Sequence, residues 1–104
     1  PVLDELAQVP ADFIAIEAAQ PDLDPAVVAR LAPRGVVLGV LDLSTTEVER
    51  PEAIAARIRA ALEHVAPEKL AVSPDCGMKF LPRAVARAKL EAMVTAAAQV
   101  RSEL

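Results

Sequence analysis

The 104-residue chain has few aromatic side chains, since it contains two phenylalanines and neither tryptophan nor tyrosine. Surfaces that stack on bases need aromatic rings. The formal net charge of −4 at pH 7 also leaves no excess of basic side chains to neutralise phosphates. We therefore expect no nucleic acid among its partners. Hydrophobic residues nevertheless make up 54% of the chain, which predicts a packed core and excludes disorder.

Long apolar runs are also absent. The longest ones, such as Gly35–Leu41, are far shorter than the ~20 residues that a membrane-spanning helix needs. The first residues lack the basic and then apolar pattern of a secretory signal. The single cysteine, Cys76, cannot form a disulfide within the chain, in keeping with a reducing compartment. The sequence therefore predicts no membrane association and a cytoplasmic location.

What the sequence does contain is an alternation of short β-branched segments with longer segments of helical periodicity, which is typical of βα units and a parallel sheet. The apolar runs predict three strands, at Asp12–Ile16, Gly35–Leu41 and Leu70–Ser73. Apolar spacing of three to four residues and proline at the first turn predict helices at Pro25–Leu31, at Pro51–Val65 and from Pro82 to the end of the chain. Leu3–Val9 is predicted to be the remnant of a helix that Pro10 ends.

The last predicted helix has a periodic apolar stripe. Its members are Ala86, Leu90, Met93, Ala97, Val100 and Leu104. Residues at this spacing lie on one face of a helix, so the stripe is predicted to face the core.

Three parallel strands leave sheet edges unpaired and one face of the sheet short of partners. The predicted fold class is therefore α/β, with residues 1–104 forming one segment of about three-eighths of an eight-stranded (β/α)8 barrel. The segment is expected to be incomplete on its own. The alternative is a small non-catalytic module that associates with its own copies through the open edges.

Candidate functional residues follow the strands, because α/β barrels carry their chemistry at the carboxyl ends of the strands. They are Glu17, Asp42 with Ser44, and Asp75 with Cys76. A carboxylate and a thiolate are both zinc ligands. The competing interpretation makes Glu17 a solvent-facing loop carboxylate and Cys76 a small buried hydrophobic residue.

Three polar residues also have structural interpretations. Asp42 either orients a ligand or caps Ser44 and Thr45 in a turn, with the turn favoured, and Asp75 has the same two interpretations. The single histidine, His64, lies near the end of the predicted Pro51–Val65 helix. That helix end points away from the carboxyl edge of the sheet, so we expect a structural role for His64.

The segments Ile14–Glu17, Gly39–Asp42, Val48–Glu49 and Ser73–Lys79 together resemble the C-terminal end of the cobalamin-independent methionine synthase family. The resemblance extends over essentially the whole chain, and its most specific part is the sequence Pro-Asp-Cys-Gly at positions 74–77. It implies a zinc-dependent methyltransferase that moves a methyl group from methyltetrahydrofolate to the thiol of homocysteine, making methionine. It also implies that Cys76 and Glu17 are zinc ligands.

Two departures from the family pattern limit what the resemblance implies. The family's other two zinc ligands, a His and a Cys in a His-x-Cys motif, belong to a strand before that of Glu17, which this chain does not include. The chain alone is therefore expected to be inactive. Many members also have a histidine where this chain has Ser44, and a hydroxyl cannot replace imidazole in proton transfer near neutral pH. A related methyltransferase that alkylates a different thiol is thus a second interpretation.

Overall fold

The computed structural model describes residues 5–6, 8–19, 23–31 and 34–104. In chain order the elements are strand β1 (Phe13–Ile16), a 3-10 helix (Pro25–Leu31), strand β2 (Gly35–Leu41), helix α1 (Pro51–Leu62), a 3-10 turn (Pro67–Lys69), strand β3 (Leu70–Pro74) and helix α2 (Arg83–Ser102). Over these residues, no helix combines the length and the apolar character that a membrane crossing requires.

The strands form one parallel sheet in the order β1-β2-β3. Each predicted strand is present, and its bounds differ from the prediction by no more than one residue. The central strand β2 is the most buried of the three, as a strand paired on both sides should be. The expected α/β architecture of parallel strands with connecting helices is therefore confirmed.

The two faces of the sheet differ in burial. Val36, Leu38 and Val40 of β2 are buried in a core that includes Ile54 and Ile58 of α1. On the opposite face, the register aligns Ala15 with Val37 and Val37 with Ala71, and both alanines are exposed. Side chains alternate between faces along a strand, so Glu17, two residues after Ala15, lies on the exposed face of the sheet.

Helix α1 begins with Pro51 in its first turn, as predicted, but ends at Leu62 rather than Val65. The N–H groups of His64 and Val65 both donate to the Ala61 carbonyl, at 3.0 and 3.1 Å, in a closing turn. The chain then reaches Pro67, whose ring cannot continue a helix. His64 is exposed in this turn.

The predicted stripe of the last helix is partly wrong. Helix α2 starts at Arg83, with Pro82 as its N-cap residue. Its buried residues are Lys89, Ala92, Ala96 and Val100, whereas the expected core residues Leu90 and Leu104 are 38% and 69% exposed. Alanines let α2 approach α1 closely, and Lys89 is buried because it finds polar partners, which hydropathy alone does not reveal.

Within the described ranges, β1 and β3 each pair with β2 only, so each has one outer edge without a strand. Association between copies through those edges stays a prediction, as does the assignment of residues 1–104 to a single segment. The predicted helical remnant at Leu3–Val9 falls partly outside the described residues. Within them, residues 5 and 6 are helical, and the chain turns from residue 8 onward.

Candidate functional site

The candidate residues lie along one edge of the sheet. Glu17 directly follows β1, Asp42 directly follows β2, and Asp75 directly follows β3. Because the three strands are parallel and adjacent, their carboxyl ends meet at the same edge. The structure therefore places these residues at one edge of the sheet, and their role there stays a prediction.

A hydrogen-bonded contact joins the two outer strand ends. The Asp75 carboxylate accepts hydrogen bonds through Oδ1 from the N–H groups of Ala18, at 3.2 Å, and Ala19, at 3.1 Å. Ala18 is the residue after Glu17, and Asp75 is the residue before Cys76. The backbone at Glu17 and the backbone at Cys76 are thus each one residue from the same contact, although β2 lies between their strands.

Glu17 and Cys76 are both exposed. The interpretation of Cys76 as a buried packing residue is therefore wrong. A carboxylate and a thiolate are donor types that zinc takes in proteins, so the pair fits part of a zinc site. Over the described residues, no group of three or more His, Cys, Asp or Glu side chains is arranged to hold a metal ion. This pair is at most a partial ligand set.

The β2–β3 ladder is irregular next to these residues. Gly39 pairs with Ser73, but Leu41 pairs with Pro74, so β2 has one extra residue. Pro74 has no N–H to donate to the ladder, and bulges change the direction of the side chains that follow them. The ladder resumes when the Asp75 N–H donates to the Leu41 carbonyl at 3.1 Å, which fixes the start of the loop that carries Cys76.

The loop after β2 is closed on itself. The Asp42 carboxylate accepts hydrogen bonds from the Ser44 hydroxyl at 2.6 Å and from the Ser44 N–H at 2.9 Å. These bonds hold the pKa of Asp42 below its ordinary value, and the bond from the hydroxyl has a larger effect than the bond from the backbone N–H. The turn interpretation of Asp42 thus describes the geometry of this structure. Asp75 makes a different contact, because its carboxylate accepts hydrogen bonds from the end of another strand, at Ala18 and Ala19.

Lys89 of helix α2 holds the same loop in place through hydrogen bonds, and the sequence did not predict this role. It is 0% exposed, and its ammonium donates to the carbonyls of Asp42 and Glu47, at 2.9 and 2.8 Å, and to Glu49 Oε1 at 2.9 Å. The other Glu49 oxygen accepts the Asp42 N–H at 2.8 Å. The sequence does contain one indication of this burial, because Lys89 has the helical spacing that places it on the same face of α2 as Ala92, Ala96 and Val100.

Adjacent parallel strands with polar side chains grouped at their carboxyl ends define the class of α/β proteins that carry their chemistry at that edge. The profile of the family described as "Cobalamin-independent synthase, Catalytic domain" matches residues 1–99. The chain belongs to this family.

Individual relatives agree with the family match. The chain is 41% identical over 83 residues to the methionine synthase of Thermococcus kodakarensis. It is 46% identical over 66 residues to that of Saccharolobus islandicus. A B12-independent methionine synthase from Shewanella sp. W3-18-1, solved in complex with selenomethionine, superposes on 98% of the chain with a TM-score of 0.93 and 30% sequence identity. The fold is therefore that of part of such a synthase.

The matches also set the scale of the chain. The aligned regions cover 80% and 64% of this chain but only 24% and 20% of the two curated relatives. The Shewanella structure is covered over 30% of its length. The chain therefore spans between about a fifth and a third of the length of the proteins that it matches.

Proposed function

We propose that this chain forms the carboxyl-terminal βα part of a zinc-dependent methyltransferase that transfers a methyl group from methyltetrahydrofolate to the thiol of homocysteine. Family membership over residues 1–99 supports the reaction class. The observation that carries the assignment of residues is the Asp75 contact with Ala18 and Ala19. It links the segment that contains Glu17 to the segment that contains Cys76.

In this proposal Glu17 and Cys76 are two of the ligands of one zinc ion. Their exposure leaves both donors accessible to an incoming ion and to a substrate sulfur. Zinc, when bound, would supply a Lewis acid that lowers the pKa of the substrate thiol, so that a thiolate is available at neutral pH. A catalytic zinc site takes three protein ligands as a rule, so the ligand set needs at least one residue besides this pair.

The loop after β2 lies at the same edge of the sheet as the proposed ligands, and hydrogen bonds fix its conformation. Asp42 and Ser44 bond to each other, and Lys89 and Glu49 hold the loop backbone. We infer that this loop orients substrate without moving a proton, because neither a hydroxyl nor a carboxylate with a lowered pKa donates protons near neutral pH.

Ser44 favours a second candidate substrate. By the family resemblance, it stands where many members have a histidine, and its hydroxyl donates to Asp42 at 2.6 Å. A member without that imidazole fits a related transfer in which the acceptor is a thiol other than homocysteine. The methylated product identifies the acceptor. In either case we expect no turnover from residues 1–104 alone, since the chain spans only 20% to 30% of its relatives.

Metal uptake tests the proposed ligands directly. The measurement is the zinc content of the purified protein, in the form that the cell makes, with Cys76→Ala and Glu17→Gln compared with the parent. Loss of a thiolate ligand is expected to abolish stoichiometric zinc, because thiolate is the strongest donor of the pair. Glu17→Gln is expected to weaken zinc binding and to reduce methyl transfer in parallel.

Two variants control for unrelated damage. Met78→Leu removes the other sulfur of the same loop with little change in volume, and Glu52→Gln neutralises an exposed carboxylate on α1. Both should retain the parent's zinc content. If Cys76→Ala retains it as well, the proposed metal site is wrong.

A further inference from the structure

Asp75 differs from the other carboxylates at this edge because its hydrogen bonds run across the sheet. Its Oδ1 bonds to Ala18 and Ala19, which are 57 and 56 residues away in the sequence. Its own N–H bonds to Leu41 at the end of β2. A single residue therefore fixes the end of β3 to the ends of both other strands.

The absence of a side chain at Gly39 makes this crossing possible. A Cβ built on Gly39 would overlap the Asp75 carboxylate and would lie 3.0 Å from the Asp75 Cα. The Asp75 carboxylate would have to leave its position, and the Asp75 backbone would have to shift by a few tenths of an ångström. Gly39 is buried although its neighbours Ala15 and Ala71 on the same face are exposed, because Asp75 lies over it. An isolated glycine inside a strand marks this kind of close approach.

The Ala18–Ala19 segment, which donates to Asp75, also makes hydrogen bonds to other parts of the structure. Ala18 and Ala19 are 5% and 8% exposed. The carbonyl of Ala18 accepts hydrogen bonds from Arg57 Nη1 and from the Leu23 N–H, both at 3.1 Å. Both the N–H and the carbonyl of Ala18 are therefore hydrogen-bonded. The backbone that follows Glu17 cannot shift without breaking the bonds to Asp75 or Arg57.

We infer that Asp75 is a positioning residue for the metal centre, setting Cys76 relative to Glu17 through the backbone of Ala18 and Ala19. The inference rests on the proposed function. Asp75 does not ligate the metal through Oδ1, because that oxygen already accepts two N–H groups. Its role is to hold two ligands from non-adjacent strands in one geometry, as outer partners do in other metal sites.

The test measures zinc affinity in the protein as the cell makes it, by competition with a chromophoric chelator. Asp75→Ala removes both hydrogen bonds and is expected to weaken zinc binding by about 10- to 100-fold, the usual effect of losing an outer partner of a metal ligand. Asp75→Asn retains an oxygen acceptor at the same position, so its affinity should stay within about threefold of the parent.

A spectroscopic signature separates positioning from general stability. With cobalt(II) in place of zinc, Asp75→Ala should shift or weaken the thiolate-to-metal charge-transfer band, since the geometry at Cys76 changes. Asp24→Ala is the matched control, because the Asp24 carboxylate also accepts a backbone N–H, from Ala26 at 2.9 Å. It should change neither the zinc affinity nor the cobalt spectrum.

Gly39→Ala provides an independent route to the same contact. Its methyl group would displace Asp75, so it too should weaken zinc binding. Combining it with Asp75→Ala should cost less than the sum of the two changes, because both act on one contact. If Asp75→Ala does not fold, Gly39→Ala and Asp75→Asn together still test the inference.

The outcomes are distinguishable. The positioning role would be overturned if Asp75→Ala and Gly39→Ala both kept the zinc affinity within twofold of the parent and left the cobalt charge-transfer band unchanged. If Cys76→Ala still abolished zinc uptake in that case, the proposed function would stay intact. If Cys76→Ala and Glu17→Gln leave zinc affinity unchanged, the metal site itself is wrong and the role of Asp75 fails with it. Weakened zinc binding in Asp75→Ala with normal binding in Asp24→Ala supports the inference.

Discussion

The loop after β2 and the ends of β1 and β3 lie on the same edge of the sheet but use their polar groups in opposite ways. In the β2 loop, the ammonium of Lys89 makes three hydrogen bonds, and both oxygens of Glu49 are occupied. At the ends of β1 and β3, Glu17 and Cys76 face solvent, and the N–H groups of Ala18 and Ala19 join the two ends by donating to Asp75.

This difference separates structural polar groups from candidate ligands. A buried ammonium is tolerated only if its protons are bonded, and over the described residues no buried side-chain nitrogen or oxygen lacks a partner. A side chain that is to bind a metal must instead keep its donor atoms accessible. The contrast teaches that Lys89 supports the edge, whereas Glu17 and Cys76 are available to a ligand.

The largest expected effect comes from breaking the Lys89 contact. Lys89→Met retains much of the side-chain volume but removes the charge, leaving Glu49 Oε1 and the carbonyls of Asp42 and Glu47 without their donor. We expect a loss of roughly 3 kcal/mol in the free energy of unfolding, at the low end for a broken buried ion pair, because the Glu49 side chain keeps 21% exposure. Urea denaturation measures it.

Lys69 offers a matched control, since it is an exposed lysine. Lys69→Met should change stability by no more than about 0.5 kcal/mol. Adding Glu49→Gln to Lys89→Met should restore part of the loss, because it removes the unpaired charge. A loss below about 1 kcal/mol in Lys89→Met would mean that the ammonium is not anchoring the loop.

The sequence predicted the strands well because each is a short apolar run between breakers, and that signal is local. It did not predict the role of Lys89. Hydropathy assigns a lysine to the surface, and its burial depends on Asp42, Glu47 and Glu49, which are 47, 42 and 40 residues away. The same reasoning misplaced Leu90 and Leu104 in the core, since the buried face of α2 follows its alanines instead.

A smaller effect is expected where the β2 loop meets solvent. Ser44→Ala removes the hydroxyl that lowers the pKa of Asp42 the most, so that pKa should rise towards its ordinary value of about 3.9. A lowered pKa in the folded state stabilises the fold above the ordinary value and loses this effect as pH falls through the lowered pKa. The variant should therefore lose less than about 1 kcal/mol near pH 7, because the Ser44–Asp42 hydrogen bond is exposed to solvent.

The measurement is an NMR titration of the Asp42 carboxyl carbon together with urea denaturation at pH 7 and near pH 2. The stability difference between parent and variant should disappear at the lower pH. Ser102→Ala is the control, because the Ser102 hydroxyl donates to the carbonyl of Gln99, which does not titrate. An equal loss at both pH values in Ser44→Ala would show that the hydroxyl acts independently of the Asp42 charge.

The candidate site was predictable in part. The position of each polar residue after a strand assigned Glu17, Asp42 and Asp75 to one edge of the sheet, and the three strands that precede them are adjacent in the structure. The metal role of Glu17 and Cys76 came from resemblance to a family and stays a proposal. The contact between Asp75 and the Ala18–Ala19 backbone was beyond the sequence, because it depends on the bulge in β2 and on the register of three strands.

The smallest effects are expected at the proposed ligands themselves, and they complete the comparison. In metal-free protein, Glu17→Gln and Cys76→Ser should each change the free energy of unfolding by less than about 0.5 kcal/mol, because neither side chain is buried. With zinc present the parent should gain stability that these variants lack, since a ligand that binds only the folded state stabilises it. Denaturation with and without a chelator measures both quantities. A loss above 1 kcal/mol without metal would make these residues part of the scaffold, like Lys89, and would remove the distinction between the two regions.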